Sequence, residues 1–278
     1  MKKVLVLGSE GQIGKYLVQA LKTRGDCVER FDLVLGEQFD LRTSSCLDEA
    51  VSKSDFVFFL AFDVGGSHYL QAYQQTYGFL QNNTELMSKV FASLKHHRTP
   101  FVFASSQMSS MTFSAYGALK NVGEFYTSSL KGLSVRFWNV YGYETDPKKY
   151  HVISDFLHGA IKSKTINMRT SGKEERDFLY GTDCANALMV IMDNFQTLQS
   201  KSHIDIASFK WTSILEIAST IANLTGAKIL QSKYEDKIQQ GQQNQPKNDI
   251  LRYWKPQISI KEGISRVYQE ILSSEYTD

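Results

Sequence analysis

The stretch KVLVLGSEGQIG, residues 3–14, decides the fold because it joins two hydrophobic patterns through a glycine-rich turn. The run from Lys2 to Leu7 is short and mostly apolar, which is typical of a buried strand. Gly8, Gly11 and Gly14 follow, and the apolar residues after them recur at helical spacing. Glycines permit a tight turn, and the first amides of a helix can bind an anion. Alone this spacing is common, but between a strand and a helix it favours a phosphate-binding turn over a structural one.

Asp32 adds to this interpretation because it lies 24 residues past Gly8, at the end of a second predicted strand, Cys27–Phe31. A carboxylate at that place accepts hydrogen bonds from an adenosine ribose and repels a 2′-phosphate. We therefore predict a dinucleotide site that prefers NAD over NADP. Arg30 is expected on the same face as Asp32, which weighs toward NADP. The alternative for Asp32 is a turn residue at a strand end.

Strand and helix patterns alternate through the first half of the chain, which predicts a parallel sheet covered by helices on both faces. The second half is less regular and contains a capping box at Ser213 and Glu216. Residues 237–249 are polar and predicted to form a loop. The further predicted strands are Phe56–Leu60, Phe101–Ala104, Leu133–Trp138 and His203–Ile206. The predicted helices are Tyr69–Lys95, Ser114–Leu130, Val152–Lys162, Thr182–Asn194, a helix from Ser213 to about Thr225, and Ile258–Leu272.

Composition indicates a globular enzyme-sized chain rather than a nucleic-acid or membrane protein. The 278 residues are 42% hydrophobic and 22% charged, with a formal net charge of +2. The short basic run Lys95–Arg98 fits a helix C-terminus better than a nucleic-acid patch. The opening apolar run, Val4–Leu7, is too short for a signal peptide or a membrane span, so a cytoplasmic location is expected. Cys27, Cys46 and Cys184 support neither a disulfide framework nor a metal site.

Ser106, Tyr116 and Lys120 are the candidate catalytic residues. Tyr116 and Lys120 lie one turn apart on the same helix face, and Ser106 lies at the end of a predicted strand. A tyrosine normally titrates near ~10, and an ammonium group beside it should lower that pKa. Tyr116 could then exchange a hydroxyl proton with a substrate while Ser106 binds the same oxygen. A Tyr-x-x-x-Lys spacing by itself is usually a solvated helix face.

With these residues in place, the chain resembles the extended short-chain dehydrogenase/reductase family, in particular its nucleotide-sugar epimerases and dehydratases. The resemblance covers nearly the whole chain. It implies a Rossmann doubly wound parallel sheet in residues 1–145, to which residues 180–207 return, and a smaller α/β sugar-nucleotide domain in residues 146–278. The matching segments are the glycine loop, Phe39–Arg42, Leu60–Phe62, Asn83, Arg136–Gly142, His151–Ile153 and Arg176–Phe178.

The resemblance also implies roles for individual residues. The nucleotide-linked sugar (GDP, UDP or CDP) is expected to contact Ser106, Gln107, Asn139, His151, Val152 and Arg176. The arginine would bind the diphosphate, for which a guanidinium fork is well suited. The cofactor NAD is expected to contact Gly8, Gly11, Gln12, Ile13, Gly14, Asp32, Asp40, Leu41, Leu60, Ala61, Asn83, Tyr116 and Lys120.

The chain departs from the family pattern at four points. Ser110 stands where a tyrosine is usual, and the interval from Ser106 to Tyr116 is short. Residues 243–246, Gln-Asn-Gln-Pro, replace a second arginine expected ahead of Asp249. Gln107 and Met108 replace the acidic pair of the 4,6-dehydratases, and neither has an ionisable group. His151 is the one spare candidate acid, or else simply a residue at a helix start.

The sequence therefore predicts an NAD-dependent oxidoreductase that acts at C4 of a nucleotide-linked sugar, as a dehydrogenase or a 4-epimerase, in surface polysaccharide biosynthesis. The alternatives are a nucleotide-sugar 4-ketoreductase and a non-catalytic NAD-binding sensor or scaffold. By analogy with the family, two helices should pair across a two-fold axis to form a homodimer. The apolar side chains expected at that interface are Phe125, Tyr126, Leu130, Leu86, Val90 and Leu94.

Overall fold

The computed structural model describes residues 1–111, 113–235 and 244–275. Its main sheet has six parallel strands in the spatial order β2-β1-β3-β4-β5-β9. The strand order reverses at β1, which places the ends of β1 and β3 on the two sides of a crevice. The six strands are β1 (Lys3–Leu7), β2 (Cys27–Phe31), β3 (Phe56–Phe59), β4 (Phe101–Ser106), β5 (Leu133–Phe137) and β9 (Ile204–Ile206).

Helices cover both faces of this sheet because the strands are apolar on both sides. One face packs on α1 and α7 through a buried cluster that includes Leu17 and Leu188. The other face packs on α2, α4 and α5 through a cluster that includes Phe59, Phe91 and Phe103. The helices of the first half, with α7 and α8, are α1 (Gln12–Thr23), α2 (Leu47–Ser52), α3 (Ser67–Tyr73), α4 (Tyr77–His97), α5 (Ala115–Ser129), α7 (Gly181–Asp193) and α8 (Phe195–Leu198).

Two small sheets and a third buried cluster make up most of the second half. One small sheet has the order β10-β8-β6 and the other pairs β11 with β7. The third cluster lies between these strands and three helices, with Ile153, Ile217 and Ile264 fully buried. The elements are β6 (Asn139–Tyr141), β7 (Thr165–Asn167), β8 (Glu175–Tyr180), β10 (Trp211–Ser213), β11 (Lys228–Leu230), α6 (Val152–Ser163), α9 (Ile214–Thr225) and α10 (Ile260–Glu275).

The predicted fold class is confirmed, while one predicted helix is wrong. Residues 69–95 were expected to form a single helix, but α3 ends at Tyr73 and α4 begins at Tyr77. The break occurs because Thr76 acts as an N-cap, its Oγ1 accepting a bond from the Phe79 amide at 3.3 Å.

The Ser213 cap is confirmed, since its Oγ accepts from the Glu216 amide at 3.1 Å. Residues 237–243 of the predicted loop lie outside the described residues.

The apolar residues expected at a dimer interface divide into two groups. Leu86, Val90 and Leu94 are 8%, 0% and 2% exposed, so they belong to the core of this chain and cannot supply an interface. Phe125 and Tyr126 are 71% and 47% exposed. The error arose because the apolar stripe of α4 faces the sheet, where it buries against β3 and β4.

Gly123 sets how closely α5 approaches the sheet. A Cβ at this position would lie 2.3 Å from the ring of Phe103 on β4. We expect Gly123→Ala to lower the free energy of unfolding by about 2 kcal/mol, because the added methyl group would force either the Phe103 ring or helix α5 to move. Urea denaturation measures the change. Gly78→Ala is the matched control, since its Cβ would meet nothing within 4 Å. An equal effect of the two substitutions would contradict this account of the packing.

Candidate active site

The glycine loop at the end of β1 is crowded in a way that only glycine allows. Gly8 has a φ of +87°, and a Cβ on it would lie 2.7 Å from the amide nitrogen of Ala61. A Cβ on Gly14 would lie 2.1 Å from the carbonyl oxygen of Gly8. These contacts hold the start of α1 directly over the ends of β1 and β3. Gly11 is the N-cap of α1 and supplies no side chain, so the first amides of this helix face outward without a side-chain partner.

The loop fits the diphosphate of a dinucleotide. The Gln12 Nε2 atom is buried and has no hydrogen-bond partner among the described residues. It lies in the first turn of α1, where the helix amides and dipole also favour an anion. Gly8, Gly11, Gln12, Ile13 and Gly14 would therefore hold the diphosphate, mainly through backbone N–H groups.

The predicted ribose contact, Asp32, lies beside this loop at the end of β2. Its Oδ2 accepts a bond from the amide of Glu10 at 3.0 Å, and its Oδ1 accepts from the amide of Val34 at 3.2 Å. The carboxylate therefore fixes the glycine loop while keeping lone pairs for a ribose hydroxyl. Arg30 is paired with Glu10, with 3.3 Å between Nη1 and Oε1.

The remaining predicted cofactor residues follow the second and third strands, Asp40 and Leu41 after β2 and Leu60 and Ala61 after β3. Asp40 binds Arg42 through both oxygens, and this hydrogen-bonded guanidinium lowers the pKa of the Asp40 carboxyl. Leu41 is buried in the core. The amides of Leu60 and Ala61 both donate to the carbonyl of Leu7 at 2.9 Å, which ties β3 to the glycine loop. Their contacts with a cofactor stay predictions.

Asn83 has a supporting position rather than an open one. It has no exposed surface, and its Oδ1 accepts from the amide of Asp63 at 2.8 Å. Its Nδ2 donates to the carbonyls of Asp63 and Phe79. Asn83 thus holds the segment that follows Ala61, and its predicted contact with the cofactor stays a prediction.

Ser106, Tyr116 and Lys120 come together as the sequence predicts. Ser106 ends β4, its Oγ accepts from the amide of Met108 at 3.1 Å, and its hydroxyl lies near Tyr116, which is 9% exposed. Lys120 is 2% exposed, and its Nζ donates to the carbonyl of Ala104 at 2.6 Å. The same Nζ lies 3.6 Å from the centre of the Phe62 ring and 5.8 Å from that of Tyr116. An ammonium over an aromatic face is favourable, so Phe62 helps to hold the lysine.

In the protein without cofactor or substrate, Lys120 does not lower the pKa of Tyr116 as expected. Burial raises the pKa of Tyr116 to about 12, against a smaller lowering by the hydrogen bond with Ser106. Burial also lowers the pKa of Lys120 to about 7, with Glu124 opposing this. The predicted lowering of the Tyr116 pKa requires a charged lysine beside it. Because desolvation disfavours the charged form of both groups, neither can be assigned its ordinary pKa here.

Glu124 is a site residue that the sequence interpretation missed. It follows Lys120 by one turn on α5, and both its oxygens accept from Arg136 on β5 at 2.7 Å. It also accepts from the hydroxyl of Ser105. Burial alone would raise the pKa of the Glu124 carboxyl, but the bonds from Arg136 and Ser105 lower it below the ordinary value. The sequence signal that could have identified Glu124 is its position four residues after Lys120, which itself lies four residues after Tyr116.

Gln74 is a second missed residue, and it fixes the start of the catalytic helix. Ser114 is the N-cap of α5 and accepts from the amide of Gly117 at 3.3 Å. Its hydroxyl donates to Oε1 of Gln74 at 2.7 Å, and the amide of Tyr116 lies 3.4 Å from the same oxygen. Gln74 follows α3 directly, so this helix connects to the helix that carries the tyrosine. A lone glutamine in a polar stretch gave no sequence signal.

The predicted substrate residues come from several different elements of the structure. Asn139 begins β6 and donates to the carbonyl of Asp177 at 3.1 Å. Arg176 lies on β8 and donates to the carbonyl of Glu175 at 2.8 Å. Gln107 lies in a single 3₁₀ turn after Ser106, and Val152 begins α6. Their contacts with a sugar nucleotide stay predictions.

His151 is held by a carboxylate that sequence reasoning did not identify. Its Nδ1 lies 2.7 Å from Oε1 of Glu144, and its amide donates to Oε2 at 2.9 Å. Burial would raise the pKa of the Glu144 carboxyl, but the hydrogen bond and charge of His151 lower it. The pair fixes Nδ1 of the imidazole and leaves Nε2 for another partner.

The His151 segment is docked next to the segment that contacts Lys120. The amide of Gly66 donates to the carbonyl of Lys149 at 3.0 Å, and Lys149 pairs with Asp63 at the same distance. A Cβ on Gly66 would lie 3.1 Å from the Cα of His151. Since Phe62 precedes Asp63, the histidine segment lies beside the segment whose aromatic ring contacts the buried lysine.

The comparisons with known proteins agree with this architecture. The family model described as "NAD dependent epimerase/dehydratase family" matches residues 4–207. The chain belongs to this family. The family is NAD dependent, which confirms the predicted cofactor. The family also confirms the resemblance inferred from the glycine loop and the Tyr-x-x-x-Lys pair.

A curated relative and two solved structures are similar to the chain. The "Putative UDP-glucose 4-epimerase" of Methanocaldococcus jannaschii is 34% identical over 166 residues, which are 55% of this chain and 52% of that protein. Epimerase Mth375 of Methanothermobacter thermautotrophicus superposes with a TM-score of 0.86, at 21% identity, covering 99% of this chain and 94% of the other. Bordetella bronchiseptica WbmF, solved with NAD+ and UDP, gives 0.82 at 22% identity, covering 99% and 94%. These structural likenesses support the fold.

Among residues 1–111, 113–235 and 244–275, none of the helices is long and apolar enough to cross a membrane. Within the same part of the chain, no group of three or more His, Cys, Asp or Glu side chains is placed to hold a metal ion.

The buried lysine makes a prediction about stability and pH. The pKa of Lys120 is about 7 in the folded protein and about 10.4 in an unfolded chain. Between these values the unfolded chain binds one more proton, so the free energy of unfolding rises with pH. Relative to Lys120→Met, the free energy of unfolding of the wild type should rise by about 1 kcal/mol per pH unit between pH 7 and 10. Below pH 6 the difference between the two proteins should not change with pH.

Urea denaturation of both proteins at pH 6, 7.5 and 9 measures this difference. Lys131→Met, at an exposed position after α5, gives the generic effect of removing a lysine. A Lys120→Met difference that stays constant from pH 7 to 9 would show that the lysine remains charged in the folded protein.

Proposed function

We propose that this protein is an NAD-dependent oxidoreductase that acts at C4 of a nucleotide-linked sugar, as a C4 dehydrogenase or a 4-epimerase. The observation that carries the proposal is the placement of Ser106 at the end of β4 beside Tyr116 and Lys120, both buried on α5, with Nζ of Lys120 bonded to the carbonyl of Ala104. NAD, when bound, supplies a hydride acceptor. The protein would supply the proton transfer and the orientation of the sugar.

The residues present can carry out that proton transfer. Tyr116 would take the proton of a sugar hydroxyl, and Ser106 would hold the same oxygen by a hydrogen bond. A substrate oxygen that becomes partly anionic favours the protonated form of Lys120, which burial disfavours in the protein alone. Asn139 and Arg176 would orient the diphosphate across the crevice.

The chain carries little acid–base chemistry beyond this step. Gln107 and Met108 follow the serine and have no ionisable group. Removal of water from C6 needs a base at C5 and an acid for the departing hydroxyl, each worth about 10²–10⁴-fold in rate. The Glu144–His151 pair offers a single additional acid or base.

A nucleotide-sugar 4-ketoreductase is the alternative. It would use Ser106, Tyr116 and Lys120 in the reverse direction, with Tyr116 giving its proton to the new hydroxyl. The raised pKa of Tyr116, about 12, favours this protonated state in the protein alone. A sensor or scaffold without catalysis would not need these three side chains in one place. The role in surface polysaccharide synthesis and the cytoplasmic location stay predictions.

Product analysis tests the proposal. The protein is incubated with NAD and UDP-, GDP- and CDP-sugars, and then with NADH and the corresponding 4-keto sugars. We expect C4 oxidation or epimerisation with the C6 hydroxyl retained, detected by NADH absorbance, NMR and mass spectrometry. Turnover with only NADH and a keto sugar would select the reductase. A product lighter by one water would overturn the proposed reaction.

Tyr116→Phe separates chemistry from cofactor binding. The phenol would transfer the proton, whereas the glycine loop would bind the cofactor. We therefore expect turnover to fall by at least about 10²-fold. The dissociation constant of NAD, measured by calorimetry, should change by less than about threefold. Near-normal turnover of Tyr116→Phe would remove the tyrosine from the mechanism.

We also propose a homodimer formed through α5. Val122, Phe125 and Tyr126 lie on one exposed side of this helix, and Tyr77 and Leu80 are exposed on neighbouring α4. Such a patch of apolar side chains is unfavourable in water and suits a self-complementary interface.

Light scattering at micromolar concentration tests this assembly. The wild type should have twice the mass of the chain, and Phe125→Glu should be monomeric, because a charge would be buried at the centre of the patch. Leu224→Glu, at a partly exposed position on α9, is the control and should remain dimeric. A monomeric wild type would refute the proposal.

A further inference from the structure

Three charged side chains meet where the adenosine ribose is expected to bind. Asp32 ends β2, Arg30 precedes it by two residues, and Glu10 lies inside the glycine loop. Arg30 has a side chain that is 42% exposed, whereas that of Glu10 is 19% exposed. A guanidinium so close to the ribose-binding aspartate would ordinarily attract the 2′-phosphate of NADP.

Glu10 takes up this guanidinium. Its Oε1 lies 3.3 Å from Nη1 of Arg30 and accepts from the hydroxyl of Ser9 at 2.9 Å. Ser9 is itself buried, with 1% of its surface exposed, so it holds the carboxylate in place. The backbone of Glu10 is fixed as well, since its amide donates to Asp32 at 3.0 Å.

The three charges give a net of −1 beside the ribose position. Without Glu10 the net would be zero and the arginine would have no carboxylate from the glycine loop as its partner. A 2′-phosphate adds two negative charges at this place, whereas the 2′-hydroxyl of NAD adds none. A charge at Glu10 therefore acts on NADP far more than on NAD.

We propose that Glu10 determines cofactor specificity, by binding Arg30 and by adding a second carboxylate that repels a 2′-phosphate. Asp32 and Glu10 then act together, one by accepting bonds from the ribose and the other by keeping the arginine occupied. This inference rests on the dinucleotide site and does not depend on the proposed reaction at the sugar.

A double-mutant cycle tests it through binding alone. The dissociation constants of NAD and NADP are measured by calorimetry for the wild type, Glu10→Gln, Arg30→Met and the double variant, without a sugar. Glu10→Gln keeps the shape of the side chain and should bind NADP at least about threefold more tightly, as expected for one freed surface charge pair. Its affinity for NAD should change less than twofold.

The arginine must account for this gain. Adding Arg30→Met to Glu10→Gln should reverse most of the improvement in NADP binding. Glu10→Ser repeats the test with a smaller side chain if the glutamine variant is poorly folded. A wild type that prefers NADP, an equal gain for NAD and NADP, no gain for NADP, or a gain that survives Arg30→Met would each overturn the proposal.

Discussion

The close approach of Gly8 to Ala61 is the constraint on which the rest of the site depends. The two backbones meet at a distance that leaves no room for a Cβ, because both Leu60 and Ala61 donate to the carbonyl of Leu7. This contact lies at the reversal of strand order, so it defines one wall of the crevice. Asp32 ties the same loop to β2, and Asn83 holds the segment after Ala61 from behind. A tight backbone contact thus positions groups from four elements.

The opposite wall depends on burial of charge. Lys120 has almost no contact with water, and its ammonium is held between a carbonyl and an aromatic ring. Glu124, one turn further along α5, remains ionised because Arg136 binds both its oxygens. This half-buried ion pair ties α5 to β5, and the bond from Lys120 to Ala104 ties the same helix to β4. The same desolvation that fixes the geometry also brings the lysine close to its point of titration near neutral pH.

The local patterns predicted the parts of the fold that follow from hydrophobic period and turn chemistry. The glycine loop, the central strands and the Tyr116–Lys120 face could be inferred because their signals lie within a few residues. Strands of three residues, such as Trp211–Ser213, carry too little pattern to be distinguished from loops. The apolar stripe of α4 showed that Leu86, Val90 and Leu94 share a face, but not whether that face meets the sheet or a second subunit. The spacing from Tyr116 to Lys120 to Glu124 was a local signal for Glu124, whereas Gln74 and Glu144 are identified only by side-chain contacts that form in the folded chain.

The distribution of ionisable groups around the crevice limits the chemistry more firmly than the fold does. A Rossmann-like sheet is compatible with many reactions, and function is decided by the side chains placed on it. Here Gln107 and Met108 after Ser106 have no ionisable group, and His151, fixed by Glu144, is the further candidate acid or base among the described residues. Two proton transfers on opposite sides of a sugar carbon would need two such groups. A tyrosine and a histidine would serve hydride transfer coupled to a single hydroxyl and one additional proton transfer, so we propose chemistry at C4 alone.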